Sequence, residues 1–115
     1  MKEMKTDTQF NREIAVFVTA SSEEEAIRIG RALVEARLAA CVNVLSRVKS
    51  IYRWEEKLTE DYEILMIVKT QSALFSDLAE CVQRLHSYTV PEIIALPIIE
   101  GSEPYLNWIK ENTHK

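Results

Sequence analysis

The stretch ACVNVLSRVKSIYRWEEKLTEDYEILMIVKT, Ala40 to Thr70, decides how this chain is read. Period-2 alternation places Ala40, Val42, Val44, Val48, Tyr52 and Trp54 on one face, with Asn43, Arg47, Lys49 and Arg53 on the other. A polar tip is expected from Glu55 to Asp61. Beyond it the alternation resumes, with Tyr62, Ile64, Met66, Val68 and Thr70 on one face and Glu63, Leu65, Ile67 and Lys69 on the other. The pattern predicts one long β-hairpin. Each arm would run roughly 45 to 50 Å at about 3.3 Å per residue, against a globule roughly 35 Å across for a chain of this length. The ribbon is therefore expected to overhang its own domain and to serve as a docking edge for another copy of the chain.

Around this hairpin the other elements follow from pattern and punctuation. Ile14 to Ala20 is short, β-branched and apolar on both faces, which predicts a strand covered on both sides. Ser21 and Ser22 each precede a glutamate by three residues, Glu24 and Glu25, giving two overlapping capping boxes for a helix reaching about Arg37. Its apolar stripe is Ala26, Ile29, Leu33 and Val34, with Gly30 allowing close approach. After the hairpin, Ser72 is expected to cap a second helix carrying Leu74, Leu78, Cys81, Val82 and Leu85. His86 to Glu92 is a connector, ended by the extended bias that Pro91 imposes on Val90. A last strand is expected over Ile93 to Ile99, with Pro97 confining it to an edge or bulge. Pro104 sits in the first turn of a third helix bearing Tyr105, Leu106, Trp108 and Ile109.

This order predicts an α+β domain, a ferredoxin-like (βαββαβ) sandwich with a long β2-β3 hairpin and a C-terminal helix. Residues 1–12 are expected to form a flexible arm and residues 13–115 a single domain. Helices cover one side of such a sheet, yet three strands are apolar on both sides. With no segment left to cover the second face, another subunit is expected there.

Composition narrows the function classes. A net charge of -4 over 115 residues argues against nucleic acid and anionic membrane as main partners. Two cysteines, Cys41 and Cys81, make no disulfide framework and fit a reducing, cytoplasmic setting. The longest apolar run, Ile93 to Ile99, is too short for a membrane span. No nucleophile elbow, phosphate loop, CxxC or HExxH spacing is present, so an enzyme is not expected.

Among single residues, Cys81 reads as core, whereas Cys41, beside Asn43 on the mixed face, is either a small hydrophobe or a ligand. His86 closes a helix within seven residues of Tyr88 and Glu92, and either caps carbonyls or binds a ligand. Lys69 is a solvated strand end or an anion contact. Tyr52 and Trp54 read as interface anchors.

Several strings carry a resemblance: Leu38-Ala39-Ala40-Cys41-Val42-Asn43, Ser50-Ile51-Tyr52-Arg53-Trp54-Glu55, Glu63 with Val68-Lys69-Thr70, His86 with Tyr88-Thr89-Val90-Pro91-Glu92-Ile93, and Tyr105-Leu106-Asn107-Trp108. In this order they resemble the CutA divalent-cation-tolerance family. The resemblance implies a cytoplasmic homotrimer, similar in architecture to PII-type signal proteins, whose hairpins lock neighbours together. It also implies a role in divalent-metal, especially copper, tolerance, with an ion or small ligand bound between subunits. Family members often carry Gly and Pro where this chain has Glu56 and Ser87. Val18 and Leu85 stand at positions that are Cys and His in the copper-associated members, which leaves His86, with Glu92 and Cys41 as companion donors, for weak binding of copper or another divalent cation. Two alternatives are a small-anion or metabolite sensor using Lys69, Tyr88, Glu92 and Trp54 of adjoining subunits, and a trimeric scaffold for a partner protein.

Overall fold

A computed structural model describes residues 12–114, so the arm expected over residues 1–12 lies, apart from Arg12, outside the described residues. In chain order come β1 (Glu13–Ala20), α1 (Glu23–Glu35), β2 (Cys41–Trp54), β3 (Lys57–Gln71), a 3-10 turn (Ser72–Leu74), α2 (Phe75–Leu85), β4 (Ile93–Pro97) and α3 (Glu103–Glu111). The strands form one sheet in the order β2-β3-β1-β4, antiparallel throughout. This is the ferredoxin-like arrangement that the element order predicts. β4 stops at Pro97 on an outer edge, where the missing N–H costs no ladder bond.

The core lies between one sheet face and helices α1 and α2. Ile14, Val16, Val18 and Ala20 of β1 and Ile64, Met66 and Val68 of β3 meet Ala26, Ile29, Leu33, Leu78, Cys81 and Val82 there. Gly30 is what lets α1 lie close to β2, because a Cβ would stand 3.2 Å from Val42 Cγ1. Val34, expected in the stripe, is exposed instead. Ser22 caps α1, its Oγ accepting from Glu25 N at 3.1 Å. The helix closes with Arg37 at φ 63°, where Arg37 N donates to Val34 O and Leu38 N to Leu33 O, a Schellman pattern without glycine. Ser72 is not the expected side-chain cap of α2. It begins the 3-10 turn, and its Oγ accepts from Arg12 N.

The hairpin differs from its sequence reading in two ways. Its tip is two residues, Glu55 and Glu56 at φ 49° and 68°, rather than the seven expected, so β3 already begins at Lys57. Positive φ at both central residues is the I′ pattern that matches strand twist. The second difference is a bulge. Leu45 pairs with Leu65 and Val48 with Glu63, so β2 uses three residues where β3 uses two, and Arg47 takes φ 59°. One extra residue reverses the parity of everything beyond it. Val42 and Val44 face the helices as expected, but Val48, Tyr52 and Trp54 point to the opposite face, with Cys41, Asn43 and Leu45. Lys49, Ile51 and Arg53 take the helix side.

The longest dimension is 43 Å, in line with an overhanging ribbon. On the second face of the sheet, Phe17, Leu65 and Ile67 are half-buried while Leu45, Ile94 and Leu96 are exposed. The expectation that no segment of the chain covers this face is corrected at one end. There α3 packs by Ile109, and Gln71 Nε2 donates to Thr113 Oγ1 at 2.7 Å.

Candidate functional site

The residues singled out in the sequence fall in three separate places. The first is built where the connector after α2 folds back over the end of β1. The His86 side chain is fully buried, and its Nε2 lies 2.7 Å from Thr19 O. Tyr88 N donates to His86 Nδ1 at 3.0 Å, which fixes the neutral tautomer with the proton on Nε2. Both ring nitrogens are thus engaged with backbone.

Glu25 of α1 fastens the same connector. Its Oε1 accepts from Ser21 N and Ser21 Oγ, its Oε2 accepts from Ser87 N at 2.7 Å, and His86 Nδ1 stands 3.7 Å from that oxygen. Burial alone would raise this carboxyl, but the hydrogen bonds from Ser87 and Ser21 outweigh it and hold the pKa at about 2. Glu25 therefore does more than cap a helix. It joins α1 to a connector more than sixty residues away.

So held, Tyr88 lies with its ring 4.7 Å from the His86 ring and its Oη donating to Glu63 Oε2 at 3.1 Å. Ser50 Oγ donates to the other Glu63 oxygen at 2.6 Å. Burial, reinforced by the bond to Glu63, pushes the Tyr88 phenol up to about 12. Burial also raises the Glu92 carboxyl, and the negative charge of Glu63 adds to it. Two carboxylates, a phenol and a hydroxyl therefore share one corner, and a bound cation there would relieve the repulsion between the carboxylates.

The second place is the other end of the open sheet face. Cys41 pairs in register with Lys69, and both reach Asn43 Oδ1, Lys69 by its ammonium and Cys41 by a weak contact at 3.8 Å. Tyr105 of α3 borders Cys41, and its phenol is raised by burial and by that thiol. Tyr105 in turn stacks on Trp108, with centroids 5.5 Å apart. Register sets Cys41 on the rung of Ala15 and Lys69, four residues from the rung of Thr19 that holds His86, or about 13 Å along the strands. His86 and Cys41 are not brought together within the chain. The third place is the hairpin tip, where Trp54 is exposed.

Sequence reasoning gave no role to Glu63 and read Glu25 only as a cap. A carboxylate set directly before the apolar run Ile64 to Val68, at Glu63, is the signal that points to a site there. Among the described residues, no group of three or more His, Cys, Asp or Glu is placed to hold a metal ion. No helix among them is long and apolar enough to cross a membrane.

The sheet order, the overhanging hairpin and the open second face define a ferredoxin-like α+β protein of a particular kind. The family model described as CutA1 divalent ion tolerance protein matches residues 14–112. The chain is 54% identical over 101 residues to the divalent-cation tolerance protein CutA of Thermus thermophilus, covering 88% of this chain and 98% of that one. It is 50% identical over 99 residues to protein CutA of Homo sapiens, covering 86% of this chain and 55% of the human one, so it spans little more than half the human protein's length. Among solved structures, CutA1 of Thermus thermophilus superposes with a TM-score of 0.87 over 89% of this chain and 99% of that one, at the same 54% identity. CutA1 of Oryza sativa does so with 0.88 over 90% and 95%, at 41% identity. The chain belongs to the CutA1 divalent ion tolerance family.

Proposed function

We infer that this chain is a non-catalytic, cytoplasmic protein of the divalent-cation response that acts as a homotrimer and binds its ion where subunits meet. The observation that carries this reading is the corner at Glu63 and Glu92. A Glu92 carboxyl raised by burial, and further by the negative charge of Glu63 beside it, makes with Glu63 half of a cation site. Further donors from a second copy would complete it. The donors present are oxygens, which suit a hard divalent ion such as Mg²⁺ or Mn²⁺ better than copper(I). A copper role for His86 would require both of its backbone contacts to break, and Cys41 would have to come from another chain. His86 serves this site by seating Tyr88.

Assembly is supported by the ribbon and the open face together, since exposed apolar surface on this scale is usually an interface. Calorimetric titration of the full chain with Mn²⁺, Mg²⁺ and Cu²⁺ tests the site. Glu63→Gln and Glu92→Gln are each expected to weaken binding at least tenfold. Unchanged affinity in both variants overturns the carboxylate site, and binding of copper alone, lost in His86→Ala, would return the ion to the histidine.

The small-anion reading has one observation of its own, the Lys69 ammonium on Asn43 beside the Tyr105–Trp108 stack. Lys69→Met in the same titration, run with inorganic phosphate, separates it from the cation reading.

A further inference from the structure

Helix α3 sits on the sheet by an unusual set of contacts. Of its side chains only Ile109 is buried, while Tyr105 and Trp108 each remain more than a third exposed. What fixes its C-terminal turn is polar. Gln71 Nε2 donates to Thr113 Oγ1 at 2.7 Å, with longer contacts to Thr113 O at 3.3 Å and Lys110 O at 3.5 Å. Next to Gln71 in register stands Glu13, whose side chain is only 3% exposed. Glu13 Oε2 has no hydrogen-bond partner among the described residues. The cation beside that oxygen is Lys110, with Nζ at 3.7 Å and its own side chain 55% exposed.

A buried carboxylate that faces one ammonium among the described residues is an asymmetric arrangement. Removing the positive charge leaves the negative one desolvated and uncompensated, which is far costlier than losing a surface ion pair. The lysine is the solvent-reachable member, and its charge is the one that a common modification abolishes.

We propose that Lys110 and Glu13 form a charge latch for α3, and that acylation of Lys110 Nζ is the event that opens it. The co-reactant is an acyl phosphate. The deprotonated Nζ attacks the acyl carbonyl carbon, the C–O bond to phosphate breaks, phosphate leaves with the bonding electrons, and a proton from nitrogen passes to water. The product is a neutral amide opposite the buried Glu13 carboxylate. With its latch open, α3 lifts at its C-terminal turn and carries Tyr105 and Trp108 away from Cys41, widening the open face at the Lys69 end. This inference stands apart from the cation site at Glu63 and Glu92.

The test is hydrogen exchange on the full chain carrying acetyl-lysine at position 110, made by treatment with acetyl phosphate and checked by site-directed incorporation. Amides of α3 are expected to exchange at least tenfold faster, with β1 and β3 unchanged. Lys110→Arg keeps the charge and is expected to keep parental exchange. Glu13→Gln in the acetylated background removes the stranded carboxylate and is expected to restore slow exchange. Parental α3 exchange in the acetylated protein overturns the latch. So does failure of Glu13→Gln to rescue, since loss of lysine packing alone would give that result.

Discussion

The two halves of the hairpin are built from similar residues and live in different worlds. In the near half Met66 and Val68 are fully buried and Ile64 nearly so, against α1 and α2. In the far half Ile51, Trp54, Leu58 and Tyr62 are 63%, 64%, 72% and 52% exposed. Same strands, same alternation of polar and apolar, but only one half has a partner within the chain. Fully burying a large apolar side chain is worth about 1.5 to 3 kcal/mol, so four that keep half to three quarters of their surface in water forgo roughly 4 to 8 kcal/mol. The far half makes physical sense as surface meant for another copy.

The comparison is broken most forcefully in the near half. Met66→Ala removes a fully buried side chain and should cost about 2 to 5 kcal/mol, read as a fall in the denaturant midpoint. A loss under about 1 kcal/mol would mean that the near half is not the core. Next comes Glu25, which ties the connector to that core. Its carboxyl is held at about 2, below the ordinary 4.5, so the folded state favours the ionised form and stability from it is complete above pH 4.5. The shift is worth about 3 kcal/mol, at about 1.4 per unit, and should be lost as pH falls from about 4.5 toward 2. Glu25→Ala should therefore destabilise the protein at pH 7 and differ little from the parent at pH 2. Equal destabilisation at both pH values would show that its charge plays no part.

How far these features were legible in the sequence follows from how locally they are encoded. The hairpin was visible because alternation repeats over thirty residues. The reversal of its far half was not, because Ser46-Arg47 looks like any two strand residues, and a bulge is set by pairing with β3 rather than by composition. Ser22 as cap was legible from its local box, whereas the bond from Ser87 N to Glu25 spans 62 residues and leaves no periodic mark. Likewise His86 could be placed at a helix end by pattern, but its burial against Thr19 O depends on where β1 lies. The strings of the family resemblance held Glu63, Tyr88 and Glu92 alike; that Glu63 meets the Tyr88 hydroxyl needed the sheet register.

Smaller effects sharpen the contrast. Trp54→Ala should leave the near half's unfolding unchanged and weaken association by about 2 kcal/mol, seen as dissociation at protein concentrations where the parent stays assembled. Loss of fold stability instead would put Trp54 in the core. Smallest is Arg47, held at φ 59° with its guanidinium 4.3 Å from the Tyr62 ring centroid. Arg47→Val, a β-branched residue in the left-handed region, should cost about 1 to 2 kcal/mol. Arg47→Gly should stay within about 0.5 kcal/mol of the parent, because relief of the backbone offsets the lost ring contact. If valine is tolerated as well as glycine, the bulge does not persist in solution.

The claim that the far half belongs to another copy is tested most directly by molar mass, measured by light scattering on the full chain at micromolar concentration. The account predicts three times the 13.3 kDa chain mass, held through dilution. A mass of one chain would contradict it, leaving the ribbon as solvent-exposed surface and the Glu63–Glu92 corner without its second set of donors.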